Sequence, residues 1–346
     1  MRELTRQETK EIQGLSILAM VLLHLFCTYN YEGKFVPLVM LQGIPLVLYF
    51  AQFGDFCVFM FAFCSGYGHM AQYEKKKGRP FIEGQLRKLL SVLIVYWTVL
   101  AAFSIVGLVL GKGDVIPGSV SRFLANVFLL TSSYNGAWWY ISVYAVLILL
   151  SPVLLKITDR LHTFFVLGAG AVLYTGAYYL RFFVHTDIAP VTWLGPFGMT
   201  LFEYLAGAVC RRRNWFSMIS SRLNRLPRGI FVVLSGVTLA VLIYAHTKIE
   251  PSLFIAPANG FAVLVILHEP SLPRVVSKIF SFFSVHSTNI WLTHMFFYQG
   301  LFPGLVYRAK YPLFIYLFML GICTVVSYVL QLVEKPLQEL VIKHAK

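Results

Sequence analysis

A single histidine, His24, interrupts the apolar run from Lys10 to Phe26, KEIQGLSILAMVLLHLF. An imidazole inside a lipid-spanning helix loses the water that would solvate it, so it is kept where it bonds a neighbouring helix or does chemistry. Helical geometry puts Gln13 within about 20° of His24 in azimuth and about 16 Å away along the axis, and Lys10 about 40° to the other side and about 21 Å away. One stripe thus has a cationic or polar inner end and an imidazole near or beyond mid-membrane. That layout suits a ligand whose anionic part stays at the rim while its reactive end reaches inward. The plainer alternative is that Lys10 snorkels to the interface and Gln13 caps the helix.

Other polar residues in apolar surroundings invite the same question. His294 sits mid-segment in the run THMFF, as an inter-helix bond or a working group. Asp55 and Glu203 lie inside apolar segments, where a carboxyl must be neutral, paired or facing water, and Glu203 is a candidate partner for a histidine or a cationic ligand group. Trp138, Trp139 and Tyr140 open a segment at the outer surface, where such rings anchor the interface; a flat ring also stacks on a pyranose. Ser65, with Gly66 and Gly68, reads as a site of close helix packing rather than a nucleophile, since no base stands at a matching spacing. Glu334 and Lys335, before Pro336, read as the end of the last helix.

The elements that must position these residues are membrane helices. Of 346 residues, 58% are hydrophobic and 13% charged, with a mean hydropathy of +0.71, which excludes a soluble domain. A ruler of roughly 20 apolar residues marks ten segments, at 12–30, 44–70, 89–110, 137–155, 163–182, 192–210, 229–246, 252–268, 286–303 and 312–334. SRFLANVFLL, Ser121 to Leu130, is too short to span and reads as a surface-lying helix. With both termini cytoplasmic, the outer loops carry only Lys34, Lys112, Arg122, Arg181, Lys248, Arg308 and Lys310, and the rest of the 29 lysines and arginines face inward. The net charge of +14 lies in short runs between apolar stretches, so nucleic acid is not the expected partner. Anionic lipids and a phosphate-bearing ligand explain it better, through the clusters at 75–88 and 211–228. The five cysteines show no metal-ligand spacing and imply no disulfide framework, and the first segment lacks a cleavage site, so it is expected to be retained. The reading is one all-α polytopic membrane domain over 1–346.

Six stretches in order resemble the acyltransferase 3 family of integral membrane acyltransferases. They are GLSILAMVLLH (Gly14 to His24), FMFAFCSGYG (Phe59 to Gly68), AWWYISVYAVLILLSPVL (Ala137 to Leu154), FEYLAGAVC (Phe202 to Cys210), HSTNIWLTHMFF (His286 to Phe297) and SYVLQLVEKPL (Ser327 to Leu337). Many members carry an arginine eleven positions before the first histidine, where this chain has Gln13, with Lys10 one turn back. Members also often carry two arginines three apart ahead of the third helix, where this chain has QLRKLLSVL, with Gln85, Arg87 and Lys88.

The resemblance implies a plasma-membrane enzyme that moves an acyl group, usually acetyl from acetyl-CoA, to a hydroxyl of an envelope glycan or lipid-linked acceptor. His24 and His294 would be the catalytic candidates, Lys10, Gln13, Arg87 and Lys88 would hold the CoA, and Trp138, Trp139 and Glu203 the acceptor. The acyl-CoA is then a substrate, and no resident cofactor or metal is expected. His24 fits either a general base or a transient acyl carrier. From other classes, a transporter or flippase could use the same stripe as a translocation path, and a sensory domain could keep the fold without the chemistry.

Overall fold

A computed structural model describes residues 3–186, 188–249, 251–269 and 272–344, without the side chains of Ser252 and 342–344. Arg2 and Lys346, both assigned inward above, lie outside the described residues, as does the side chain of Lys343. The chain is almost wholly helical: α1 (Arg6–Phe26), α2 (Leu46–Phe53), α3 (Phe56–Lys75), α4 (Arg79–Val109), α5 (Val120–Val127), α6 (Trp139–Arg160), α7 (Thr163–Phe183), α8 (Ala189–Arg212), α9 (Trp215–Leu223), α10 (Arg228–His246), α11 (Ala256–His268), α12 (Arg274–Tyr298) and α13 (Pro312–His344). A two-residue hairpin pairs Met40–Leu41 with Ile44–Pro45. Nine of the ten expected segments each fall on one α-helix, 44–70 covers both α2 and α3, and the stretch at Ser121 gives the short α5, capped by Ser119.

Among the described residues, seven spans are long and apolar enough to cross a membrane, and α8, α11 and α12 are not among them. α11 is too short at 13 residues, and α8 and α12 carry polar residues because of where they sit. α8 buries Thr200 and Glu203, and α12 buries His286, Asn289, Thr293 and His294, so these helices meet protein where a lipid-facing helix would meet hydrocarbon. α10 is the opposite case, a mostly apolar helix with His246 its only buried residue.

The chain divides into two compact units, one of residues 1–27, 48–81 and 150–285, the other of 28–47, 82–149 and 286–346. In the first, α3 and α8 meet backbone to backbone. A Cβ on Gly66 would lie 1.9 Å from the Tyr204 carbonyl oxygen, and one on Gly207 would lie 2.0 Å from that of Phe63. α1 meets the first half of α12 in the same way at Gly14, where a Cβ would lie 1.8 Å from the Phe280 oxygen. Around that contact Gln7 donates to Ser281 Oγ (2.7 Å), Ser277 to Glu11 Oε1 (2.5 Å) and Ser284 to Gln13 Oε1 (3.3 Å). This seam moves two expected boundaries. α12 begins at Arg274, not 286, because the serine stripe is satisfied by α1. α1 begins at Arg6, not 12, because Thr5 and Glu8 form a reciprocal cap. Glu8 also accepts from His268 Nδ1 of α11 (3.0 Å).

The second unit is tied by α12 and α13. Asn289 donates to Ser327 Oγ (3.2 Å) and to Glu334 Oε2 (2.9 Å), and His286 Nδ1 lies 2.9 Å from Ser327 Oγ. Glu334 is therefore a buried partner and not a helix end, and α13 continues through Pro336 to His344.

Because neither Gly66 nor Gly207 has room for a side chain, Gly207→Val should force α3 and α8 apart at about 1–3 kcal/mol or more. The expected result is a clearly lower unfolding midpoint of the detergent-solubilised protein, whereas the same change at Gly236, which has open space, should leave it within a degree or two.

Candidate functional site

In the first unit, His24 lies in the last turn of α1, because the helix ends at Phe26 and not at 30. It is half-buried, and the exposed Cys27 follows three residues on. Lys10 is exposed at the other end of α1, and Gln13 is half-buried and bonded to Ser284 within the α1–α12 seam. Gln13 is thus a seam residue, and it does not cap the helix start, where Thr5 stands.

Glu203 of α8 is 3% exposed, and its Oε2 has no hydrogen-bond partner among the described residues. It lies within electrostatic reach of Arg181 and of Asp55. Asp55, at the start of α3, is itself held in a network that the sequence did not disclose. Its Oδ2 lies 2.9 Å from His246 Nε2, and His246 Nδ1 lies 2.7 Å from the Asn259 amide nitrogen. With that amide donating to Nδ1, the ring proton sits on Nε2 and is donated to Asp55. The only signal was His246 closing a segment otherwise free of polar charge; Asn259 gave none.

An apolar groove of about 900 Å³ in the same unit is lined by Phe59, Phe164, Phe202, Trp215, Phe254 and Phe261, among others. None of the candidate residues lines it. Ser65 donates to the Phe61 carbonyl one turn back (2.8 Å) and so serves its own helix. The basic cluster after α8 is partly spoken for: Arg211 pairs with Glu74 (2.9 Å), Arg212 with Asp159 (2.7 Å) and Arg213 donates to Thr163 (2.7 Å). Lys77 also pairs with Asp159 (3.0 Å).

In the second unit, the start of α6 is locked onto α12. The Leu292 carbonyl accepts from both Trp138 Nε1 and Asn135 Nδ2 (2.9 Å each), and Trp291 Nε1 donates back to the Ala137 carbonyl (2.9 Å). Trp138 is 1% exposed and meets Tyr96 and Phe296 edge to face, with centroids 4.9 and 5.7 Å away. It is a core ring, in place of the interface anchor or sugar platform expected above. Trp139 and Tyr140 are half-buried beside it. His294, fully buried on the same turn of α12, directs Nδ1 at the carbonyls of Trp291 (2.8 Å) and Ile290 (3.1 Å). A neutral ring donating there carries its basic lone pair on Nε2. Arg87 and Lys88 are half-buried on α4, next to the buried Gln85.

The structure therefore gathers Lys10, Gln13, His24 and Glu203 in one unit and Arg87, Lys88, Trp138, Trp139 and His294 in the other. A family model described as an acyltransferase domain matches residues 12–332, which includes His24, Glu203 and His294. No curated protein and no solved structure matches the chain.

The packing of Trp138 separates a core ring from a sugar platform. Trp138→Phe, which removes only a donor that Asn135 duplicates at the Leu292 oxygen, should cost about 0.5–1.5 kcal/mol. Trp138→Ala should cost about 3–5 kcal/mol. Thermal unfolding in detergent reads both, and a platform would instead leave stability intact while weakening acceptor binding.

Proposed function

We infer the reaction from one premise: the chain belongs to the acyltransferase 3 family and is a membrane acyltransferase. The finer reading is that it is an O-acyltransferase of the plasma membrane, taking an acyl group, acetyl in the first instance, from cytoplasmic acyl-CoA to a hydroxyl of an envelope glycan or lipid-linked acceptor. The observation that carries this reading is that the family match spans His24, the imidazole that closes the last turn of α1.

The chemistry asked of His24 is ordinary for a neutral imidazole. As the acceptor oxygen attacks the thioester carbon, the ring takes the hydroxyl proton; the C–S bond breaks, and the departing CoA thiolate recovers that proton from the imidazolium. In the covalent variant the ring nitrogen attacks first, CoA leaves as thiol, and the acyl-imidazole is then attacked by the acceptor hydroxyl. His294 is the second imidazole proposed for proton handling, its ring held by α12 carbonyls. Lys10, Arg87 and Lys88 are proposed as positive charge for the CoA phosphates, and Gln13, three residues after Lys10, as a neutral donor. Glu203 and Trp139 are proposed for the acceptor, and Trp138 acts behind Trp139 by fixing the α6–α12 junction.

The test uses purified protein in liposomes with labelled acetyl-CoA and membrane glycan acceptors. Thiol release coupled to labelled product is expected, and His24→Ala, shown folded by an unchanged unfolding midpoint, should slow it about 10²–10⁴-fold. Solute flux without thioester cleavage would replace this reading by transport, and an unaltered rate in His24→Ala would remove His24 from the chemistry. A rapid-quench sample carrying an acylated His24 peptide would select the covalent variant.

A further inference from the structure

Gly54 stands at the break between α2 and α3, where the chain crosses α1. A Cβ on Gly54 would lie 2.7 Å from the Ala19 carbonyl oxygen, so the two backbones touch. Ala19 precedes His24 by five residues, about 7.5 Å along the helix axis. The next residue after the crossing is Asp55.

Asp55 is gripped from two further helices. Its Oδ2 receives His246 Nε2 of α10 at 2.9 Å, and His246 Nδ1 receives the Asn259 amide of α11 at 2.7 Å. Exposure of the three is 5%, 0% and 0%. The ring of Phe53, on the other side of the break, meets His246 edge to face at 6.1 Å. A peripheral helix such as α10 would sit in lipid at no cost with an apolar residue in place of the imidazole; the polar trio needs a use that repays its burial.

We propose that Asp55, His246 and Asn259 are positioning residues for the reaction at His24: they fix the α2–α3 break, which through the Gly54–Ala19 contact fixes the last turn of α1. This rests on the reading of His24 given above. None of the three need touch a substrate. What they supply is a rigid support, and a misplacement of about 1 Å at a reacting group can slow a reaction about 10²-fold.

The native Cys27 gives a readout that does not depend on turnover. It is exposed while Cys57, Cys64, Cys210 and Cys323 are buried, so a nitroxide reagent labels the end of α1 selectively. Asp55→Ala, His246→Ala and Asn259→Leu are each compared with Asp55→Asn, whose amide oxygen can still accept from His246. The expected result is a more mobile label in the first three, with kcat down about 10-fold to 100-fold and KM for acetyl-CoA unchanged. Asp55→Asn should keep both the immobile label and kcat within about threefold of the parent. If an alanine variant fails to fold, His246→Gln and Asn259→Leu carry the comparison. The proposal is overturned by folded variants with unchanged label mobility, or by an Asp55→Asn protein as slow as Asp55→Ala, which would make the charge and not the support the essential feature. Loss of the reading of His24 itself would show as a normal rate in His24→Ala, and the label on Cys27 would still report whether the support exists.

Discussion

Hydrocarbon surrounds membrane helices as willingly as a neighbouring helix does, so close association needs a contact that lipid chains cannot imitate. In the first unit that contact is the seam of α3 and α8, where Gly66 and Gly207 each accept the other helix's backbone. The register of this seam is set to within a residue, because any other pairing would place a Cβ on a carbonyl. Glu203 stands one turn before Gly207 on α8, and Asp55 opens α3.

Polar groups then add direction to a seam that steric fit alone would leave free to slide. Along α1 the partners of α12 are all small hydroxyls, Ser277, Ser281 and Ser284, facing Glu11, Gln7 and Gln13 around the Gly14 contact. A hydroxyl is short enough to bond across a closely packed pair without prising it open. In the second unit the same job is done by an amide, Asn289, and a carboxyl, Glu334, with Ser327 between. α10, by contrast, is apolar and turns almost its whole length outward, with His246 its one buried residue.

The apolar runs were legible because length and hydropathy are local, and each of the ten marks one α-helix or, at 44–70, two. The ends were not. The stretch from Arg6 to Glu11 reads as a charged tail until Thr5 and Glu8 close on each other, and Ser277 to Ser284 reads as a loop until α1 supplies its partners. His24 was legible as a histidine in an apolar run but not as a last-turn residue, for the same reason. Trp138 stands at the head of an apolar segment, where a ring reads as an interface anchor, whereas its indole N–H is turned inward by a carbonyl 154 residues away. The Asp55–His246 pair joins residues 191 apart, and no periodicity in either helix points to the other.

Gln13 shows how the seam bears on chemistry. Many members of the family have arginine at the matching place, and a guanidinium there would need a carboxylate or a bound anion opposite. This chain offers a neutral serine hydroxyl, Ser284, and a backbone crossing at Gly14 one residue on. A neutral amide satisfies that hydroxyl and leaves no charge to compensate in a tight interface. Lys10, one turn toward the exposed end of the same helix, keeps its charge outside the packed seam, where water can reach it.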